Sequence, residues 1–195
     1  MVQVSQAELI AGAIAGKVVS FPTDTVPALA VKPELGDSIY QLKQRPKEKP
    51  LILLGASIED LLPYVIYNST ELAAWQHLIQ KHLPGALTLV LPASSRVPTA
   101  INFTNSHTVG IRIPDSPLAL AILQKTGVLA TSSANISGQD TLVTMNAIDQ
   151  AFPSVLVLEN INLPKDSPVG SGKPSTVIQW HNQAWIVLRQ GIIII

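Results

Sequence analysis

Proline and glycine punctuate this chain from end to end, and that punctuation limits what it can build. Its 195 residues include 15 prolines and 11 glycines, set between short apolar runs. Proline removes a backbone donor and glycine admits turns, so long uninterrupted elements are ruled out and short strands and helices must alternate. Ser5-Gln6-Ala7-Glu8 is a capping box; the helix it opens carries Leu9, Ile10, Ala13 and Ile14 on one stripe and ends at Gly16. Val18 to Phe21 and Val26 to Val31 read as strands, with Pro27 of the second confined to an edge or a bulge. Ile39, Tyr40 and Leu42 mark a short helix that stops before Pro46, and Leu51 to Leu54 a buried strand. Leu72, Trp75, Leu78 and Ile79 mark a helix that starts at Ser69 or Thr70.

The second half repeats the mixture. Leu87 to Leu91 and Thr108 to Ile113 are strands, separated by a polar loop over 92–107. Ser116-Pro117 starts a helix that Gly127 stops. Val128 to Thr131 is a strand, Ser132 to Asp140 a loop, Thr144 the start of a short helix, and Val155 to Leu158 a strand. A Pro/Gly/Ser loop covers 160–174, and Thr176 to Trp180 with Ala184 to Leu188 form a hairpin about His181-Asn182-Gln183. No repeat and no compositional break divides the chain. The expected fold is α/β or α+β, one domain over 1–195, with helices flanking a single twisted mixed sheet.

Composition narrows the function. Thirteen basic residues balance thirteen acidic ones, and charged residues make up only 13%. Any polyanion site must therefore come from a local cluster. The chain has no cysteine, which excludes disulfides, thiolate metal sites and cysteine nucleophiles. Mean hydropathy is high, +0.31, yet no run reaches the ~18 apolar residues of a spanning helix. No basic leader precedes the first apolar residues. A soluble cytoplasmic protein is expected.

Four segments can carry chemistry. Lys43-Gln44-Arg45-Pro46-Lys47-Glu48-Lys49 concentrates basic residues. Pro46 pushes Arg45 towards extended backbone, so Lys43 and Arg45 would project together, a point charge beside a planar fork, as a polyphosphate requires. The alternative is a solvated turn. Ser133 and Asn135 follow a buried strand directly, where open sheets bind ligands, or else serve an Asx turn. Thr108, Gly110 and Arg112 share one strand face. Burying Arg112 demands an anion, either a substrate carboxylate or a structural Asp or Glu. Thr23 and Thr25 can aim hydroxyls into one cleft while Asp24 faces elsewhere, or else serve turn chemistry.

Three further signals fail. Gly170-Ser171-Gly172-Lys173-Pro174-Ser175 resembles a phosphate loop, but Ser167 and Pro174 stand where Gly and Ser or Thr are needed, and a strand follows. His77, His82, His107 and His181 lack metal spacing. There is no nucleophile elbow.

Seven segments taken together resemble the YrdC/Sua5 family of threonylcarbamoyl-adenylate synthases. They are Phe-Pro-Thr-Asp-Thr-Val (21–26), Leu-Lys-Gln-Arg-Pro-x-x-Lys-Pro-Leu (42–51), Leu-Pro-Gly-Ala-Leu-Thr-Leu-Val (83–90), Val-Gly-Ile-Arg-Ile-Pro (109–114), Thr-Ser-Ser-Ala-Asn-Ile-Ser-Gly (131–138), Pro-Ser-Thr-Val (174–177) and Leu-Arg-Gln-Gly (188–191). The resemblance implies a basic concave site and a reaction of L-threonine, bicarbonate and ATP that yields threonylcarbamoyl-AMP and pyrophosphate. It implies that Lys43, Arg45, Ser133 and Asn135 hold ATP, with Thr108, Thr141 and Arg189 contributing, and that Lys43 and Arg45 are the catalytic cations. Thr23, Arg112, Thr131 and Ser175 would line the threonine site. Mg²⁺ would be held mainly by the triphosphate, with no protein metal site. The product would pass to a transferase complex that modifies tRNA. Pro27 and Ala28 depart from the family's Tyr-Gly at that place, and Leu54 from its frequent histidine. An RNA-binding module or a non-synthase paralogue of the same fold is the alternative reading.

Overall fold

The computed structural model describes residues 3–104, 107–159, 164 and 166–195. Parts of the two expected loops, 105–106 and 160–163 with 165, lie outside the described residues. The strands are β1 (Gln3–Val4), β2 (Val19–Phe21), β3 (Ala28–Val31), β4 (Ile52–Leu54), β5 (Leu87–Pro92), β6 (Thr108–Arg112), β7 (Leu129–Ser133), β8 (Leu156–Leu158), β9 (Thr176–His181) and β10 (Ala184–Arg189). The helices are α1 (Gln6–Ile14), α2 (Asp37–Lys43), α3 (Ile58–Leu61), α4 (Ser69–His82), α5 (Pro117–Thr126) and α6 (Met145–Ala151). Among the described residues all ten strands join one mixed sheet, ordered β1-β8-β2-β3-β7-β4-β6-β5-β9-β10. Among the described residues no helix is long and apolar enough to cross a membrane.

Local chemistry sets the element ends. The capping box of Ser5 and Glu8 forms at α1, and two more appear, Ser57 with Asp60 at α3 and Asn68 with Glu71 at α4. The cap of α4 is thus Asn68, one residue before the expected start, because its short amide reaches the free N–H of Glu71 at 2.9 Å. The β9–β10 hairpin turns on Asn182 and Gln183, both at positive φ, the conformation that matches strand twist in a two-residue loop.

Three expectations are corrected. Strand β3 is central, between β2 and β7, and starts at Ala28. Pro27 therefore sits at neither an edge nor a bulge but just before the ladder, where its missing donor costs nothing. Strand β7 continues through Ser132 and Ser133, which pair with Leu29 and Ala28. Lys43 is not extended: it is the last residue of α2, and Gln44 adopts φ 50°, ψ 43° to end the helix.

Two apolar clusters hold the sheet. One gathers α1, α5 and α6 against β2, β3 and β8 around Leu9, Phe21, Ile122 and Phe152. The other packs α2 and α4 against β4, β5 and β6 around Ile39, Leu53, Trp75, Leu89 and Ile111. Along β6 the alternation is clean: Val109 and Ile111 enter the second cluster, and Thr108, Gly110 and Arg112 face a cavity.

Candidate active site

The cavity has a volume of about 560 Å³. Its floor is the sheet: Ile52 and Leu54 of β4, Thr88 and Val90 of β5, Thr108, Gly110 and Arg112 of β6, Thr131 and Ser133 of β7, and Val177 and Gln179 of β9. Register explains the set. Val90 lies opposite Gly110, Gly110 beside Ile52, Ile52 opposite Thr131, so one cross-sheet row faces the hollow. Gly110 keeps the floor low: a Cβ there would stand 2.8 Å from Ile52 Cγ2.

Among the described residues three guanidinium groups, Arg45, Arg112 and Arg189, and one carboxylate, Glu48, line the cavity. Thr23, Thr141 and Ser175 also line it, so nine of the eleven singled-out residues face this space: Thr23, Arg45, Thr108, Arg112, Thr131, Ser133, Thr141, Ser175 and Arg189. Lys43 and Asn135 stand directly behind the wall. Lys43 is 0% exposed; its Nζ donates to the Ser133 carbonyl and to Asn135 Oδ1 at 3.2 Å. Ser133 Oγ donates to the same Oδ1 at 2.6 Å, and Asn135 Nδ2 donates to the carbonyls of Ile136 and Gln139. Burial, and then the charges of Arg45 and Lys49, push the Lys43 amine down to about 7. A buried ammonium with only neutral acceptors has lost hydration without gaining a counter-ion.

Arg45 parts from Lys43 after the left-handed Gln44 and enters the cavity wall. Its Nε donates to Lys49 O and its Nη2 to Pro50 O, both at 2.9 Å, so it folds the 46–50 turn around itself. Tyr40 Oη donates to the same Lys49 carbonyl at 3.1 Å, and Lys47 Nζ sits 4.4 Å from the Phe103 ring centre. Burial lowers the Arg45 pKa, opposed by Tyr40. Guanidinium still stays charged.

Arg189 reaches the cavity through an irregularity. Val187 pairs with Ile178 but Arg189 pairs with Val177, so a bulge lets Leu188 and Arg189 both line the hollow. Its Nη2 donates to Ser175 O at 2.8 Å. Ser175 Oγ shares a 2.8 Å hydrogen bond with Thr88 Oγ1, a buried hydroxyl that sequence reasoning missed. The signal was a lone polar residue in the apolar run Leu87 to Leu91.

The Arg112 corner differs from expectation. Asp24 does stay off the cavity wall, but its carboxylate is not left to solvent: its Oδ1 accepts from Arg112 Nη2 at 2.5 Å. Thr25 Oγ1 accepts from Nη1 at 2.8 Å and Gly85 O from Nε at 2.9 Å. Of the two anions open to Arg112, the fold supplies a protein carboxylate. Thr23 and Thr25 do turn to one cleft, with their hydroxyls 3.1 Å apart. Residues 170–172 serve this corner too. Ser171 N donates to Asp24 O and Gly172 N to Thr25 O, and a Cβ on Gly170 (φ 72°) would stand 2.5 Å from Thr25 O. Gly170 permits this close backbone approach, and Gly172 adopts φ 73° in open space.

Among the described residues no group of three or more His, Asp or Glu side chains can hold a metal ion. A magnesium ion would therefore need most of its ligands from a bound polyphosphate and water.

A family model for Sua5, YciO and YrdC proteins, described as telomere recombination, matches residues 13–191. A threonylcarbamoyl-AMP synthase of Hydrogenovibrio crunogenus is 36% identical over 183 residues, 89% of this chain and 91% of that one. One of Bacillus subtilis is 32% identical over 90% of this chain but 50% of its own length. Among solved structures, P. abyssi Sua5 complexed with L-threonine superposes with a TM-score of 0.80 at 29% identity, over 97% of this chain and 55% of that one. E. coli YciO, at 21% identity and a TM-score of 0.78 over 98% and 92%, shares the fold. The chain thus spans about half of the two longer relatives and over nine-tenths of the Hydrogenovibrio one. With the cavity and the matching segments in place, the chain belongs to the Sua5/YciO/YrdC family.

Proposed function

We propose that this protein is an L-threonylcarbamoyladenylate synthase, with residues 1–195 acting as one YrdC-like domain in the cytoplasm. One observation carries the reading. Lys43 at the end of α2 meets Ser133, the last residue of β7, and Asn135 just beyond it, behind the wall of a hollow in which, among the described residues, three guanidinium groups outnumber one carboxylate. Such a hollow suits a nucleoside triphosphate, with forked donors and a point charge for phosphate oxygens and amide and hydroxyl groups for the nucleoside. The names of the curated relatives and the threonine bound to P. abyssi Sua5 support the same substrates.

In this reading Lys43, Arg45, Ser133 and Asn135 hold ATP, with Thr108, Thr141 and Arg189 around it. Thr23, Arg112, Thr131 and Ser175 hold L-threonine. Bicarbonate gives CO₂ and hydroxide; the neutral threonine amine attacks the CO₂ carbon, a C–N bond forms as one C=O π bond opens onto the carbamate oxygen, and the nitrogen's proton joins the hydroxide as water. The carbamate oxygen then attacks the α-phosphorus in line. A P–O bond forms, the bond to the bridging oxygen breaks, and pyrophosphate leaves. Alignment and facing cations supply the rate, with no covalent enzyme intermediate. Mg²⁺ carried by the triphosphate would add charge neutralisation. The adenylate passes to a transferase complex that modifies tRNA.

Incubation of the pure protein with ATP, labelled bicarbonate and each amino acid in turn, followed by mass spectrometry, tests the reaction. The expected result is an acyl-adenylate with threonine alone. No adenylate with any amino acid, together with salt-sensitive RNA binding, would replace this reading with the RNA-binding one.

A further inference from the structure

We infer that Asp24 is a positioning residue, and that its carboxylate sets the orientation in which Arg112 meets the carboxylate of the amino-acid substrate. The inference rests on the proposed function for the identity of that substrate, but the geometry stands by itself. Arg112 is 5% exposed and is gripped by three residues from two segments: Asp24 and Thr25 on the turn before β3, and Gly85 on the loop before β5. A guanidinium has five N–H bonds. These contacts use one N–H at Nε, one at Nη1 and one at Nη2. Among the described residues the remaining two, one on each terminal nitrogen, have no partner, and Arg112 lines the cavity. A pair of donors on the two terminal nitrogens fits the two oxygens of a carboxylate.

Asp24 fixes this arrangement because it is itself fixed. Its carbonyl accepts Ser171 N at 3.0 Å, and the neighbouring Thr25 carbonyl accepts Gly172 N at 2.9 Å. The glycine-flanked 170–172 segment thus clamps the turn from outside while the carboxylate reaches inward. Asp24 does not line the cavity, so it acts through Arg112 rather than on the substrate. Its charge offsets that of Arg112, which leaves Arg45 and Arg189 to face a polyanion.

The test uses Asp24→Asn and Asp24→Glu with three readouts: threonine affinity, ATP affinity and the side-chain nitrogen resonances of Arg112. The wild type should show separate, slowly exchanging Nη signals. Asp24→Asn should merge them and weaken threonine binding about tenfold or more, with ATP affinity changed less than about twofold. Asp24→Glu keeps the charge and should recover part of the threonine affinity. It also decides the matter if Asp24→Asn does not fold: signals retained with reduced threonine affinity and normal ATP affinity support the inference. Unchanged threonine affinity in a folded variant, or an equal loss for threonine and ATP, overturns it. If the wild type binds ATP but no threonine, the proposed substrate is wrong, and the Arg112 resonances alone decide whether Asp24 positions the guanidinium.

Discussion

Two buried cations, Arg112 on the cavity wall and Lys43 behind it, are stabilised in opposite ways. Arg112 has its counter-ion built in, Asp24 at 2.5 Å, and two neutral acceptors besides. Lys43 is as deeply buried but meets only a backbone carbonyl and an amide oxygen, with Arg45 and Lys49 adding repulsion. A buried ion pair resists disruption, because removal of one partner strands the other. A buried ammonium without an anion gains most when an anion arrives from outside. In the proposed function the first corner would orient the substrate carboxylate, and the second would gain from the charge of the triphosphate.

The comparison is easiest to break through stability. Arg112→Met strands Asp24 and should cost about 3–5 kcal/mol in urea unfolding. Lys43→Met removes an unpaired buried charge and should be neutral or stabilising in the absence of ligand. Equal destabilisation by both would erase the distinction. Activity should rank the corners the other way for phosphate chemistry. Lys43→Ala or Arg45→Ala should lower threonine-dependent pyrophosphate release about a hundredfold or more, the size expected for one preorganised contact at ~2.7–4 kcal/mol. Near-normal release from both variants would contradict their assignment.

The smallest effect is a proton. The Lys43 amine sits at about 7 against its ordinary 10.5. Between those values the unfolded chain holds a proton that the folded one lacks, so stability rises with pH across that window. Below about pH 7 both states are protonated and the cost of burial is at its full value. A bound polyanion raises the amine again, so nucleotide binding at about pH 8.5 should take up about one proton. Calorimetry in two buffers of different ionisation enthalpy measures the uptake, and Lys43→Met should abolish it. Uptake unchanged by that substitution would move the effect to another group.

Much of the fold was legible because short-range rules govern it. The Ser5/Glu8 cap, Ser116-Pro117 at α5, the alternation of β6 and the β9–β10 hairpin all follow from hydrogen bonding and side-chain period within a few residues. The errors sit where a distant partner decides. Local rules confine Pro27 to an edge or a bulge because the strand that pairs with β3 on its other side, β7, lies about a hundred residues on. Alternation puts Asp24 off the cleft of Thr23 and Thr25, which holds, but it cannot supply the partner: Arg112 and residues 170–172, which grip the 23–25 turn, lie far along the chain.

The candidate site divides along the same line. Residue chemistry alone selected the Lys43–Arg45 cluster, the Ser133–Asn135 loop and the Thr108, Gly110, Arg112 face, since each pattern is local. Their convergence on one hollow, the counter-ion of Arg112 and the loss of hydration at Lys43 belong to the tertiary structure. The reason is that spacing along a chain sets which groups share a face, whereas electrostatic energy depends on distance and burial, which only long-range packing fixes.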